Sequence, residues 1–553
     1  MRKLFSKNRS KLILIIGLLP LFSVGQDFLN SGQVHGNFQL DAQYYLEDST
    51  IGAPKVPEKM GMNAFANLIY TNKNFEAGVR YESYLNPLQG YDTRYEGSGF
   101  AYRYAKYTKD NFEITVGNFY EQFGSGLIFR AYEERNLGYD NAIDGIRIKY
   151  SPFNGLSFKG IVGNQRYFWE KSEGIVRGFD GEIFINDLVK KYKDSKTKVI
   201  IGGSFVSKFE PDLDPICKLP ENVGSFAGRL NVSRGKVNVY SEYAYKINDP
   251  STVNGFIYKP GEALLIETSY SQKGLGISLA AKRIDNMNYR SERAATGTPL
   301  NINYLPSLSK LHTYSLSAIY PNATQANGEL GLSASLIYKF NKGTKIGGKY
   351  GTTVALNYSV VNSIAKTAIN DTTPIGTKGT LGYESDFFKI GDSKYFEDIN
   401  IEVTKKFNKK IKGVFSWVNL VYDIEINEGH IGEPDVYANI AIADVTYKLK
   451  GRNSLRFEGQ HLSTHQDEKN WALALVEYST KHWFFAIMDQ YNYGNDDSKK
   501  QIHYYTVSAG YNKNTSRIAL SYGKQREGIL CVGGVCRAVP AANGLTLTLS
   551  SSF

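Results

Sequence analysis

Three cysteines in a chain of 553 residues cannot supply a disulfide framework, so stability has to come from packing and backbone hydrogen bonds. Long apolar runs are also missing. The longest, Leu12 to Val24 ("LILIIGLLPLFSV"), holds 13 residues, short of the roughly 18 to 20 that a membrane helix requires. No Pro- or Ser-rich spacer and no block of like charge interrupts the sequence, which argues against a string of separately folded domains. Sequence frames for common chemistry are absent too: Ser125 has no G-x-S-x-G around it, and no H-E-x-x-H occurs.

What is present begins at the N-terminus. Arg2, Lys3, Lys7, Arg9 and Lys11 precede the apolar run, and Ser23 and Gly25 follow it, the layout of a secretory signal peptide spanning residues 1–26. No cysteine marks a lipid anchor at the cleavage point. Removing those five cations lowers the formal net charge from +11 to +6. The residual basicity implies no nucleic-acid partner, because net charge bears on association and not on fold.

Residues 27–553 read as a single domain. With 40 Tyr and 30 Phe but 42% hydrophobic residues, the composition suits an all-β wall with one apolar and one polar face. Alternation is the dominant period. In Asn37 to Leu46, Phe38, Leu40, Ala42, Tyr44 and Leu46 oppose Asn37, Gln39, Asp41, Gln43 and Tyr45. Phe75, Ala77, Val79 and Tyr81 oppose Glu76, Arg80 and Glu82, and Leu455 and Phe457 alternate with Arg456 and Glu458. In Val414 to Ile426 the same rule puts Val414, Val418, Leu420, Tyr422 and Ile424 toward lipid, with Asn419, Asp423 and Glu425 toward a wet interior.

Short connections alternate with long ones. "TNKN", "TKDN", "SPFNG", "SRGK", "FNKK", "KGRN", "STKH" and "NKNTS" are short; 86–96, 209–223, 285–310, 427–434 and 462–470 are long and irregular. Short periplasmic turns and long extracellular loops are the habit of outer-membrane barrels. The sequence therefore predicts a large transmembrane antiparallel up-and-down β-barrel of about 24 to 26 strands, its centre (residues 320–394) the hardest part to count. The last segment, "GLTLTLSSSF", ends on Phe553 and resembles the C-terminal signal read by the barrel-assembly machinery. A bore of this size is too wide for wall side chains to fill. Only a few residues separate the cleavage site from the first strand near His35, which leaves no room for the N-terminal plug of a TonB-dependent transporter, so inward-folded loops are expected to fill part of the lumen.

The stretch "GNFYEQFGSGLIFRAYEERNLGYDNAIDG" (117–145) is the leading candidate for that role. Its core is too apolar for a solvated loop, so Tyr120, Glu121, Phe123, Gly124, Gly126, Phe129 and Arg130 are assigned to a constriction or plug, with the glycines giving tight backbone geometry. A catalytic reading of Ser125, or of an acid pair among Glu121, Glu133, Glu134, Asp140 and Asp144, lacks a nearby histidine and a spacing that sequence can establish. No enzyme, cofactor or metal is expected.

"GNFYEQFGSGL", "LGYDNAIDG", "INYLPSL", "YPNATQANGE" and "KGTKIGGKYGT" together resemble a family of outer-membrane proteins of Bacteroidota that carry a domain of unknown function. The resemblance covers nearly the whole mature chain, implies location and fold, and transfers no catalytic residue.

Further candidates are weighed on chemistry. Cys531 and Cys536 in "CVGGVC" flank a Gly-Gly turn and suit a disulfide in an oxidising compartment; half of a metal site is the alternative. Cys217 is left over, free or paired with another chain. His461 and His465 read as surface residues. Trp417, Trp471 and Trp483 suit interface girdles, and Tyr167, Phe168 and Trp169 are available for stacking on sugars. Arg80, Glu82, Arg147, Lys149, Arg456, Glu458 and Arg517 face the lumen with both signs, unlike a selective pore ringed by one sign. The expected partners are outer-membrane lipid, the assembly machinery during insertion and proteins of an envelope complex. Porin-like passage of solutes is the leading function, and a non-catalytic subunit of an assembly, secretion or uptake machine is the alternative.

Overall fold

The computed structural model describes residues 32–553, so the segment read as a signal peptide lies outside the described residues. Alternating sequence becomes a ring of 24 antiparallel strands, each hydrogen-bonded to its sequence neighbour. The first strand, Gln33–Leu46, pairs with the second, Met60–Asn72, and also with the last, Ala542–Ser552, which closes the ring. Closure leaves no wall edge unpaired, the condition for crossing a bilayer with strands. No helix among the described residues is long and apolar enough to cross a membrane.

The strand count falls at the lower end of the expected range. The uncertain centre resolves into the strands Glu329–Phe340, Thr352–Thr367 and Glu384–Lys406, so "FNKGTKIGGKYG" lies at the short-turn end and 368–383 at the loop end. All eight short connections named from the sequence fall at one end of the barrel. Several reverse in two residues, with Lys73 (φ 53°), Asp110 (φ 50°) and Gly235 (φ 61°) supplying the left-handed backbone that tight hairpins use. The opposite end carries the long loops, of which 286–328 is the largest and extends well past the expected 285–310.

Outward alternation exposes Val79, Phe179, Phe226, Phe457 and Ile487, the apolar belt of a lipid-facing wall. One strand departs from the expected facing. In Ile411–Tyr422, Val418, Leu420 and Tyr422 are 0–2% exposed inside the barrel, whereas Phe415 and Trp417 point outward. Asn419, expected on the wet face, shares the outer face with Asn439, to which it donates at 3.1 Å. The rule that apolar means lipid-facing fails here because the lumen at this height is itself apolar. Trp471 is likewise buried inside, at 3% exposure, so of the three girdle tryptophans only Trp417 and Trp483 lie on the outer face.

At the turn end the ring is tied by Phe553, whose backbone exchanges hydrogen bonds with Gly36 at 3.0 and 3.1 Å. Phe553→Ala keeps those bonds and removes only the ring. If the ring is an insertion signal, the heat-modifiable folded form on electrophoresis of outer membranes should fall several-fold; an unchanged yield would remove that role.

Candidate functional site

The segment between Phe112–Phe119 and Ile143–Phe153 leaves and returns at one point of the wall, because Phe119 and Ile143 are paired neighbours. Confined in this way, 23 residues have to go up or in, and their apolar content sends them in. Phe123, Leu127, Ile128 and Phe129 are fully buried against inward-facing Val176, Val206, Ala244 and Leu265 of the wall. At the tip, the Ser125 amide donates to Glu242 Oε2 at 2.7 Å, and the Tyr240 hydroxyl donates to the same carboxylate. Gly124 (φ 53°) passes so close that a Cβ there would meet Glu242 Oε1 at 2.5 Å. Only glycine satisfies both that conformation and that approach.

A second loop completes the filling. Residues 286–328 enter the lumen from the strand Leu275–Asp285 and return to Glu329–Phe340, which is again its paired neighbour. Tyr289, fully buried, fixes the entry: its hydroxyl donates to Val223 O at 2.7 Å and accepts from Lys208 N at 3.0 Å. The two loops then bond directly. Arg130 N donates to Ile302 O at 2.8 Å, Tyr304 N to Gly126 O at 2.9 Å, and Asn141 Nδ2 to Asn301 O at 2.8 Å. The Arg130 guanidinium lies against the rings of Tyr132 and Tyr304, 4.3 and 4.1 Å from their centroids, in the corner the two rings form. Further along, Leu316, Ile319 and Tyr320 pack on Leu420, Tyr422, Val436 and Ile440, the opposite half of the wall. Lys310, His312 and Tyr314 reach deepest, with His312 Nε2 2.8 Å from Asp398 and Tyr314 Oη 3.1 Å from Asp444.

Buried charge ties the first loop to the wall. Asp140 Oδ2 is 2.7 Å from Arg166 Nη1 and also meets Arg80, while Arg166 Nη2 is 2.7 Å from Glu82 Oε2 and Arg80 Nε 2.6 Å from Glu82 Oε1. The Tyr120 hydroxyl donates to Asp140 at 3.0 Å. Burial alone would raise the Asp140 carboxyl, but the facing Arg166 and Arg80 guanidinium groups outweigh it and hold the group below the usual carboxylate range. A second anchor centres on Glu121, 2.8 Å from Lys149 and 3.1 Å from Lys159. Its carboxyl is raised by desolvation and lowered more strongly by those lysines.

Of the sequence candidates, Arg80, Glu82, Arg147 and Lys149 converge on this one loop. Arg456, with Asp444 at 3.1 Å and in contact with Glu458, and Arg517, 5.1 Å from the Phe484 ring, sit elsewhere on the inner wall. Sequence reasoning missed Arg166, Glu242 and Tyr289. Their signal was weak, since each is one polar residue on an alternating strand or in a long loop. Tyr167 and Phe168 stack with Arg94, Tyr95 and each other, so these rings already have partners at the rim. His461 is exposed on a strand, its Nε2 2.7 Å from Tyr493 Oη, and Cys217 is a free, buried thiol.

A third piece crosses the loop end. The ribbon of Gly528–Val532 and Val535–Val539 carries the Cys531–Cys536 disulfide. Gly534 O accepts from Thr324 N at 3.1 Å, Arg537 Nε donates to Asn136 O at 3.2 Å, and the Arg537 guanidinium lies 4.4 Å from the Tyr91 ring. The ribbon thus touches both lumen loops and the 85–96 loop.

A closed 24-strand wall with an apolar belt, short turns at one end and loops at the other defines an integral outer-membrane β-barrel. The chain belongs to the family of unknown function DUF6029, which matches residues 8–553. No curated protein matches it. Among solved structures, a chain of the E. coli P pilus tip assembly intermediate PapC-PapD-PapK-PapG is 9% identical, with a TM-score of 0.48 over 94% of this chain. This chain spans 60% of that one's length. The siderophore receptor PirA from Pseudomonas aeruginosa is 10% identical, TM-score 0.40, over 94% of this chain and 80% of that one. A BenF-like porin from Pseudomonas fluorescens Pf-5 is 10% identical, TM-score 0.31, over 95% and 99%. Likenesses this distant assign no function.

Asp140→Asn leaves two buried guanidinium groups short of their shared anion, a loss on the order of 3 kcal/mol. Amides of 120–142 should exchange about 100-fold faster while wall strands keep their protection. A carboxylate held below its ordinary value stabilises the folded state above about pH 4 and loses that contribution as pH falls through the lowered value. Digestion with an acid-active protease should therefore spare 120–142 at about pH 4 and above and cut it only as pH falls through that lowered value, whereas Asp140→Asn should be cut at every pH.

Proposed function

We propose that the protein is an outer-membrane channel for solutes, exported by its signal peptide and closed from the extracellular side by its own loops. The observation that carries this reading is the direct hydrogen bonding of 120–142 to 286–328 inside the bore, where 286–328 starts beside the first loop and runs on to the opposite half of the wall. Passage then requires the loops to move. Tyr120, Glu121, Phe123, Gly124, Gly126, Phe129 and Arg130 are the plug, and Arg80, Glu82 and Arg166 are the wall side of its latch. The Cys531–Cys536 ribbon is a lid that braces both loops at the mouth. The chain acts without catalysis in this reading, since Glu121, Glu133, Asp140 and Asp144 of the 117–145 stretch are engaged in ion pairs. The resemblance of its motifs to outer-membrane proteins of Bacteroidota supports an origin in that group.

A second reading, a subunit of an envelope assembly or secretion machine, draws support from Leu213 and Ile216, which are 81% and 83% exposed in the 210–221 loop. Exposed large apolar side chains on a loop suit a protein partner.

Single-channel recording of the purified mature protein in a planar bilayer tests the proposal. The intact protein should show little steady conductance, and replacement of 123–129 by a short Gly/Ser linker should open large, long-lived events. Steady high conductance in the intact protein would show that the loops constrict without closing. Silence in both would remove the channel reading and favour the machine subunit. Cys531→Ser with Cys536→Ser should raise the frequency of brief openings without changing their size, because the lid is loosened while the plug remains latched.

A further inference from the structure

The strand Glu384–Lys406 is 23 residues long, about twice what a tilted strand needs to cross a bilayer. Only Phe396–Lys406 pairs with Ile411–Tyr422. The upper part, 384–395, is paired on one side alone, through an irregular register that joins Asn362 to Lys394, Ile364 to Ile390 and Lys366 to Ser385.

This upper part lies over the outside of the wall. Lys282 and Ile284 point into the lumen, where Lys282 pairs with Glu329 and Ile284 joins the buried plug cluster. Alternation therefore sends Arg283 and Asp285 to the lipid side. There the Phe387 ring lies 4.5 Å from the Arg283 guanidinium and 6.5 Å from the ring of outward-facing Tyr243. Arg283 donates to Ser385 Oγ at 3.1 Å, and the Tyr383 hydroxyl donates to Asp285 at 2.6 Å. Ile257, Leu330, Ile364 and Tyr383 close an apolar cluster beneath. The flap thus leaves Arg283 and Asp285 only 4% and 2% exposed, although they sit on the outer face.

The side of the flap turned away from the wall carries Phe388 and Ile390, 84% and 50% exposed. We propose that this flap is a lipid-docking surface, with Phe388 and Ile390 seated in the outer leaflet at the boundary of headgroups and acyl chains. Continuity selects the occupant. Tyr243, Leu332 and Tyr358, on the wall strands the flap spans, belong to the lipid-facing belt, and the flap carries Phe388 and Ile390 from that belt toward the rim, with exposed Asp386, Lys389 and Asp392 beside them at the level of the headgroups. Phe and aliphatic side chains on the apolar face of a peripheral segment bury at the headgroup and acyl boundary. The proposal does not depend on whether the lumen conducts.

The test is a nitroxide at Phe388→Cys, in a Cys217→Ser background, with the full-length barrel in phosphatidylethanolamine/phosphatidylglycerol vesicles. Leu213→Cys, in a loop at the same end, is the solvent control. Heat-modifiability first confirms that each variant is folded. The label at 388 should collide with oxygen in preference to a water-soluble nickel chelate, with a ratio at least about 5-fold higher than at 213. Equal nickel access at the two positions would overturn the proposal. Protection of position 388 from both reagents would overturn it in favour of a protein partner or a second copy. A label at Ile390→Cys gives an independent reading of the same face.

Discussion

A closed hydrogen-bonded ring is the constraint on which everything else here depends. Strands in lipid must satisfy every backbone donor and acceptor within the wall, so the sheet must close, and closure with 24 strands fixes a bore that wall side chains cannot fill. The chain answers with its own loops. Their presence then dictates the composition of the inner face: in Val436–Lys448, Val436, Ala438 and Ile440 are fully buried near the loop end, while Asp444 and Thr446 follow toward the turn end. One strand thus carries an apolar tier, where chain fills the bore, above a polar one.

Apolar packing and buried charge do different work in this filling. Phe123, Leu127, Ile128 and Phe129 supply non-directional burial that would tolerate several arrangements. The Asp140, Arg166, Glu82 and Arg80 cluster gives little net stability once desolvation is counted, but it tolerates only one register, since shifting the loop by a residue strands charges in a dry interior. Arg130 against the Tyr132 and Tyr304 rings, and the Glu242 carboxylate accepting from the Ser125 amide, act in the same sense elsewhere on the loop.

Architecture was legible in the sequence because alternation and the difference between short and long connections are local signals. Leu455 and Phe457 against Arg456 and Glu458 can be read without knowing any neighbour. The plug loop was legible from one mismatch, an apolar tip in a loop. The 286–328 loop was not, since "INYLPSL" carries no period and its partners lie on strands far away in sequence. The facing of Val418 and Leu420 was misread for a related reason: alternation identifies two faces but does not say which is wet, and that depends on whether a distant loop occupies the bore at that height. Arg166 illustrates the same limit, because its importance comes from Asp140 and Glu82 meeting it.

Both lumen loops leave and return between strands that are already paired, Phe119 with Ile143 and Ile284 with Glu329. Either can swing out without breaking a wall hydrogen bond, so the cost of opening is confined to contacts among loops, lid and inner face. Wall and filling are therefore held separately, the wall by its strand ladders and the filling by contacts among loops, lid and inner face. Because the two loops bond to each other, displacing one strips the other of partners at Ile302, Gly126 and Asn301. The lumen would then clear cooperatively, and an agent acting on either loop or on the lid that touches both would reach the same open state.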